Sequence, residues 1–185
     1  MRQESRTCEY LIFGKSLMQP TSEMTIRRAV QADEVFLLDA LYHALFVPPG
    51  QAPPPRAILE IPRLRAYVSG WSAQREPGVI AECAGKPIGA AWLRLLQGDQ
   101  AGYGHIADHI PELAISVLPG FRGRGVGSAM LGELMRVATQ TFAAISLSVS
   151  PANPARRLYA RHGFHDTVVS DDSVVMVRRL ADREP

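Results

Sequence analysis

Short stretches of the chain alternate between apolar and polar residues or run apolar: Thr25–Ala29, Val79–Cys83, Pro87–Leu96, Leu113–Val117, Ala144–Val149, Phe164–Ser170 and Ser173–Leu180. A period of two marks a strand with one face on a core. In the most regular of them, Leu113, Ile115 and Val117 fall on one side and Glu112, Ala114 and Ser116 on the other. Ala84-Gly85-Lys86 and Asp171-Asp172 sit between pairs of these stretches and signal hairpins.

Other segments carry helical spacing. Ala32–Phe46 places Val35, Leu38, Leu41, Leu45 and Phe46 on one stripe, with Asp33 and Glu34 suited to the positive end of the helix dipole. Ile58–Trp71, started late or broken by Pro62, lines up Leu64, Tyr67, Val68 and Trp71. Val126, Met130, Leu131, Leu134, Val137 and Ala138 make a third stripe, and Pro154–His162 a short fourth helix stopped by Gly163. Between the first two lies VPPGQAPPPR, residues 47–56, too rich in proline for helix or central strand. It reads as a stiff loop. Residues 97–111 read as a loop bearing glycines and histidines. The fold class expected is mixed α/β: a sheet of six to seven strands flanked by about four helices, in one domain over 24–185. Residues 1–23 read as an N-terminal tail, with Tyr10–Phe13 as a candidate edge strand.

Composition narrows the setting. A chain of 185 residues with 46% hydrophobic content is enough for one well-filled domain. The net charge of +2 is too small to argue for nucleic acid, and no apolar run approaches the length of a membrane span. Cys8 and Cys83 form no metal or disulfide pattern. His105 and His109 stand four apart but lack the H-E-x-x-H frame or a third ligand, so no metal is expected. A soluble, cytoplasmic protein is the expectation, with no nucleic acid and no membrane among its partners.

The chemistry concentrates at Glu112–Gln140, where a strand ends at Pro119-Gly120, a basic glycine-rich turn follows (Arg122-Gly123-Arg124-Gly125-Val126-Gly127), and a helix begins. A helix start leaves backbone N–H groups without internal partners and carries partial positive charge, so it attracts phosphate. Glycines allow close approach, and Arg122 and Arg124 add charged donors. The same glycines also suit a turn that simply packs a helix closely on its strand. No Lys-Ser or Lys-Thr follows them, which excludes a nucleoside triphosphate P-loop. Their spacing is G-x-G-x-G, and no acidic residue lies in Ser146–Ser150, which counts against a dinucleotide fold.

What remains, Arg122-x-x-Gly125-x-Gly127 with its lead-in Val117-Leu-Pro-Gly-Phe, resembles the acyl-CoA loop of the GNAT superfamily of N-acetyltransferases. A second stretch, Asn153-Pro-Ala-Arg-Arg-Leu-Tyr159 followed by Gly163-Phe164, is similar to that family's N-x-A-x-x-L-Y element. The resemblance covers about Thr25–Leu180. It implies a central mixed, mostly antiparallel sheet whose fourth and fifth family strands splay apart around the pantetheine arm, and transfer of an acetyl group from acetyl-CoA, as cosubstrate and without a metal, to a primary amine. It also implies that the helix-loop-helix region walls the acceptor cleft.

The cofactor-binding residues it implies are Ile115, Val117, Arg122, Gly123, Arg124, Gly125, Gly127, Ser128, Asn153 and Tyr159. An amine with a pKa near 10 must lose a proton before it attacks, so a base is needed. Glu112 acting through water is the first candidate for it and His109 the alternative. The resemblance gives a backbone N–H near Val117 to the oxyanion and Tyr159 to the departing sulfur. Two other functions are carried forward: a non-catalytic acyl-CoA-binding sensor, and an acyltransferase with a different acyl donor or acceptor. The acceptor is expected to be a small-molecule or peptide amine, and a homodimer is the assembly considered.

Overall fold

The computed structural model describes residues 22–180 and the strand at Arg6–Cys8. The strands are β1 (Arg6–Cys8), β2 (Ser22–Arg28), β3 (Gly78–Cys83), β4 (Lys86–Arg94), β5 (Glu112–Val117), β6 (Ala144–Val149), β7 (His165–Val169) and β8 (Val174–Arg179). The helices are α1 (Glu34–Ala44), α2 (Pro62–Arg65), α3 (Val126–Ala138) and α4 (Arg156–Arg161). All eight strands form one sheet in the order β1-β2-β3-β4-β5-β6-β8-β7. The expected mixed, mostly antiparallel sheet is what forms: among the described residues, β5 with β6 is its one parallel pair. The count exceeds six to seven because Arg6–Cys8 pairs with Ser22–Met24. Tyr10–Phe13 lies outside the described residues.

Alternation along the strands sorts the core into two layers. Val79, Ala81, Ala91, Leu93, Leu113, Ile145 and Leu147 face α3, whose Met130, Leu131 and Leu134 are fully buried against them. Ile80, Ala90, Trp92 and Ala114 face the other way, onto Leu37, Ala40 and Leu41 of α1 and onto Tyr67, Val68 and Trp71. The stripe expected for α1 is rotated from the one that forms, since Val35 is 83% exposed and Leu37 fully buried. A three-residue 3-10 turn at Gln31–Asp33 precedes the helix and sets its phase. Asp33 fixes that turn by accepting from the Val30 N–H at 2.8 Å and pairing with Arg27 at 2.7 Å.

The helix expected over Ile58–Trp71 is broken at Pro62, as its sequence suggests, and the α-helix beyond the break is short. A 3-10 turn at Arg56–Glu60 is followed by α2, and the chain then runs through turns to Gly70 at φ +71°. Pro62 is the cause: it cannot donate a backbone hydrogen bond, and Ile61 before it is pushed to the extended ψ of 120°. The hairpin expected at Ala84-Gly85 forms, with both residues at positive φ (52° and 72°), the geometry of a tight two-residue turn.

Candidate functional site

β5 and β6 share only the Glu112–Ser146 pairing, reinforced by the Ser146 N–H donating to the Pro111 carbonyl at 3.0 Å. Beyond it β6 follows β8 along Ala144–Val149, while β5 stays with β4 as far as Val117. The two parallel strands therefore part toward their C-terminal ends. The Leu118 N–H donates to the Ile88 carbonyl at 2.9 Å, on the β4 side. Successive N–H groups of a strand point to opposite sides, so those of Val117 and Ile115 point toward β6 and the gap.

The turn before α3 closes one end of that gap. Gly123 and Gly125 have φ of +74° and +80°, a left-handed conformation that residues with a Cβ seldom adopt. Gly125 is the N-cap of α3 and no side chain caps it, so the first-turn N–H groups are not taken up by a capping side chain. A Cβ built on Gly123 would meet only open space. Gly127 differs: a Cβ there would stand 3.2 Å from Leu158 Cδ2 and 3.8 Å from Val117 Cγ2. Its missing side chain makes room for α4, so the end of β5, the start of α3 and α4 converge at one point.

The other residues expected to bind cofactor lie around this point, several with their polar groups engaged. The Arg122 guanidinium donates to the carbonyls of Val117 and His43, and Arg124 lies over the Phe121 ring at 5.9 Å. Ser128 Oγ is 2.8 Å from His162 Nε2, joining α3 to α4. Burial, with the charges of Arg178 and Arg161, holds the His162 imidazole below its usual pKa. Asn153 Oδ1 accepts from the Ala155 N–H at 2.9 Å, shaping the entry to α4. Tyr159 is 8% exposed, its ring set edge-on to Phe164, and burial alone pushes its phenol up to about 12. The phenol is therefore protonated throughout the neutral range.

Glu112 points to the α1 side of the sheet with Ala114 and Ser116, as alternation requires, and is 1% exposed. Its Oε2 accepts from the Tyr67 hydroxyl at 2.6 Å and from the Gly104 N–H at 2.7 Å. Oε1, like the hydroxyls of Ser116 and Ser146, is buried without a hydrogen-bond partner. Arg94 stands opposite on β4 but turns to the Glu76 carboxylate at 3.3 Å and the Ser69 carbonyl at 3.0 Å. Burial, and next the charge on Glu112, drive the Tyr67 phenol far above its ordinary pKa, so it remains a donor. His109 sits exposed on the turn three residues earlier, and His105 Nδ1 is 3.1 Å from the Leu96 carbonyl.

Tyr67, Gly102 and Gly104 were not among the residues singled out for chemistry from sequence. Tyr67 was visible only as one apolar position of a helical stripe. The Gly-Tyr-Gly run at 102–104 was the available signal, since paired glycines beside a strand mark close backbone approach. Among the described residues, no group of three or more His, Cys, Asp or Glu could hold a metal ion.

The parallel strand pair β5–β6 thus parts beside a left-handed glycine turn that opens a helix. The model of the Acetyltransferase (GNAT) family matches residues 38–164, and the chain belongs to that family. Solved structures share the fold. The yncA protein of Salmonella typhimurium, determined with its cofactor acetyl-CoA, is 22% identical at a TM-score of 0.63, over 88% of this chain and 96% of that one. A phosphinothricin acetyltransferase of Sinorhizobium meliloti in complex with acetyl-CoA is 23% identical at 0.59, over 86% and 89%. The ribosomal-protein-S18-alanine N-acetyltransferase of Escherichia coli is 17% identical at 0.60, over 87% and 96%.

Proposed function

We propose that the chain is an acetyl-CoA-dependent N-acetyltransferase acting on a primary amine, with residues 24–185 as its catalytic domain. The observation that carries this is the turn at 122–127, left-handed at Gly123 and Gly125, at the mouth of the gap between β5 and β6. Its residues fit the group: α3 begins with no capping side chain, and the space at Gly123 is open. When bound, acetyl-CoA supplies an activated acetyl thioester.

The chain's own residues would do the rest. The backbone N–H groups from Gly123 to Ser128 hold the diphosphate, and those of Ile115 and Val117 face the gap to meet the pantetheine arm and the oxyanion. Glu112 takes the proton of the acceptor ammonium through a water. Tyr159, whose pKa burial raises, keeps its proton at neutral pH and donates a hydrogen bond to the departing sulfur from its place on α4. No helix among the described residues is long and apolar enough to cross a membrane.

One observation favours a second reading. Glu112 is 1% exposed, and so deep a carboxylate also suits a domain that binds acyl-CoA without turnover. Release of free coenzyme A, followed across amines, polyamines, amino acids and peptide N-termini, separates the two. Amine-dependent release is the expected result; saturable acetyl-CoA binding without release from any amine supports the sensor.

A further inference from the structure

The two oxygens of Glu112 are held unequally. Oε2 has two donors, the Tyr67 O–H and the Gly104 N–H, while Oε1 has none. The direction of the tyrosine bond is fixed by its other neighbour. The Tyr103 N–H approaches the Tyr67 oxygen at 2.9 Å and can only donate, so the single hydroxyl proton is free to go to Oε2.

Tyr67 is itself immobilised. Its backbone carbonyl accepts from Trp92 Nε1 at 2.8 Å, and its ring stacks on Tyr103 with centroids 6.5 Å apart. Arg63 clamps the facing loop by donating to the carbonyls of Ala101 and Gly102 at 3.1 and 2.8 Å, its guanidinium 4.3 Å above the Tyr103 ring. A Cβ on Gly102 would stand 2.4 Å from both Glu112 Oε1 and the Tyr67 hydroxyl. Only glycine lets the backbone come so near.

We propose that Tyr67 is a positioning residue for the reaction: by donating to Oε2 it orients the Glu112 carboxylate so that Oε1 is the oxygen that receives the acceptor's proton. This rests on the reading of Glu112 as the base. Loss of a donor to a carboxylate disfavours its charged form, so the contact is tested by the pH at which activity falls off on the acid side. A tyrosine that only filled the core under α1 would affect stability and leave that pH where it was.

The test uses the full chain with an amine found by coenzyme A release, and reads both turnover and a label. Tyr67→Phe is expected to lower kcat about 10-fold, leave KM for acetyl-CoA within about twofold, and move the acidic limb of the kcat–pH profile up by about one unit. Placing 3-fluorotyrosine at position 67, a stronger donor, is expected to move the limb down. Its 19F resonance should titrate with the midpoint of that limb and stop titrating in Glu112→Gln. If Glu112→Gln abolishes the limb but neither change at Tyr67 moves it, Tyr67 is a packing residue and the proposal is overturned while the base stands. If Glu112→Gln keeps the limb, the base assignment fails and takes the positioning role with it. A 19F resonance indifferent to pH overturns the proposal whatever the turnover, and should Tyr67→Phe not fold, the fluorotyrosine protein decides.

Discussion

Arg122 Nε donates to the Val117 carbonyl at 2.9 Å, tying the turn before α3 back to the last residue of β5. The same guanidinium donates to the His43 carbonyl at 3.0 Å, in the last turn of α1, where the helix dipole is negative. Arg122 is thus a strut between three elements, and the backbone it braces is the stretch proposed to hold the diphosphate. Arg122→Ala should lower the stability of the ligand-free protein by about 0.5–1.5 kcal/mol and weaken acetyl-CoA binding by about 10-fold or less. Thermal unfolding without ligand checks this. An unchanged midpoint with a large loss of affinity means that the guanidinium leaves both carbonyls for a phosphate.

Tyr159→Phe keeps the ring packed on Phe164 and deletes the hydroxyl. If the phenol protonates the leaving sulfur, kcat should fall about 10- to 100-fold with acetyl-CoA binding intact. Alkaline stability gives an independent reading. The folded phenol ionises near 12 rather than at 10.0, so the stability it contributes is complete below pH 10 and is lost as pH rises through 12. That loss is worth about 2–3 kcal/mol. Urea unfolding at pH 9 and pH 11.5 should show a smaller decline in the phenylalanine variant than in the parent.

His162 joins α4 to Ser128 on α3 and has a depressed pKa, burial being the larger cause. The unfolded chain therefore takes up a proton before the folded one does. Stability should fall as pH drops through about 6.5, the ordinary imidazole value. His162→Gln should flatten the difference between urea midpoints measured at pH 7.5 and pH 5.5. An equal difference in parent and variant assigns the acid sensitivity in this range to groups other than His162.

Elements whose pattern stems from their own backbone were legible in the sequence. β6 and α3 formed where alternation and the helical stripe placed them, and the glycines at 123 and 125 occupy the left-handed positions that make them necessary. What was not legible depended on neighbours distant in sequence. The phase of α1 is set by Asp33 meeting Arg27, and the short helical turns after Pro62 bury Tyr67, Val68 and Trp71 against strands distant in sequence. For the same reason the close approach of Leu158 to Gly127 is not readable from the spacing of the glycines. The Tyr67–Glu112 contact spans 45 residues and leaves no periodic trace.

Everything chemical proposed for this fold depends on acetyl-CoA seating on the backbone of the turn before α3. Calorimetric titration of acetyl-CoA into the parent and into Gly125→Val tests it most directly. Gly125 holds φ +80°, so a β-branched residue there must distort the turn and place a side chain at the start of α3. Saturable binding by the parent, weakened about 100-fold or more in a variant that still unfolds cooperatively, is the expected result. Equal affinity in the two proteins, or no binding by the parent, contradicts it.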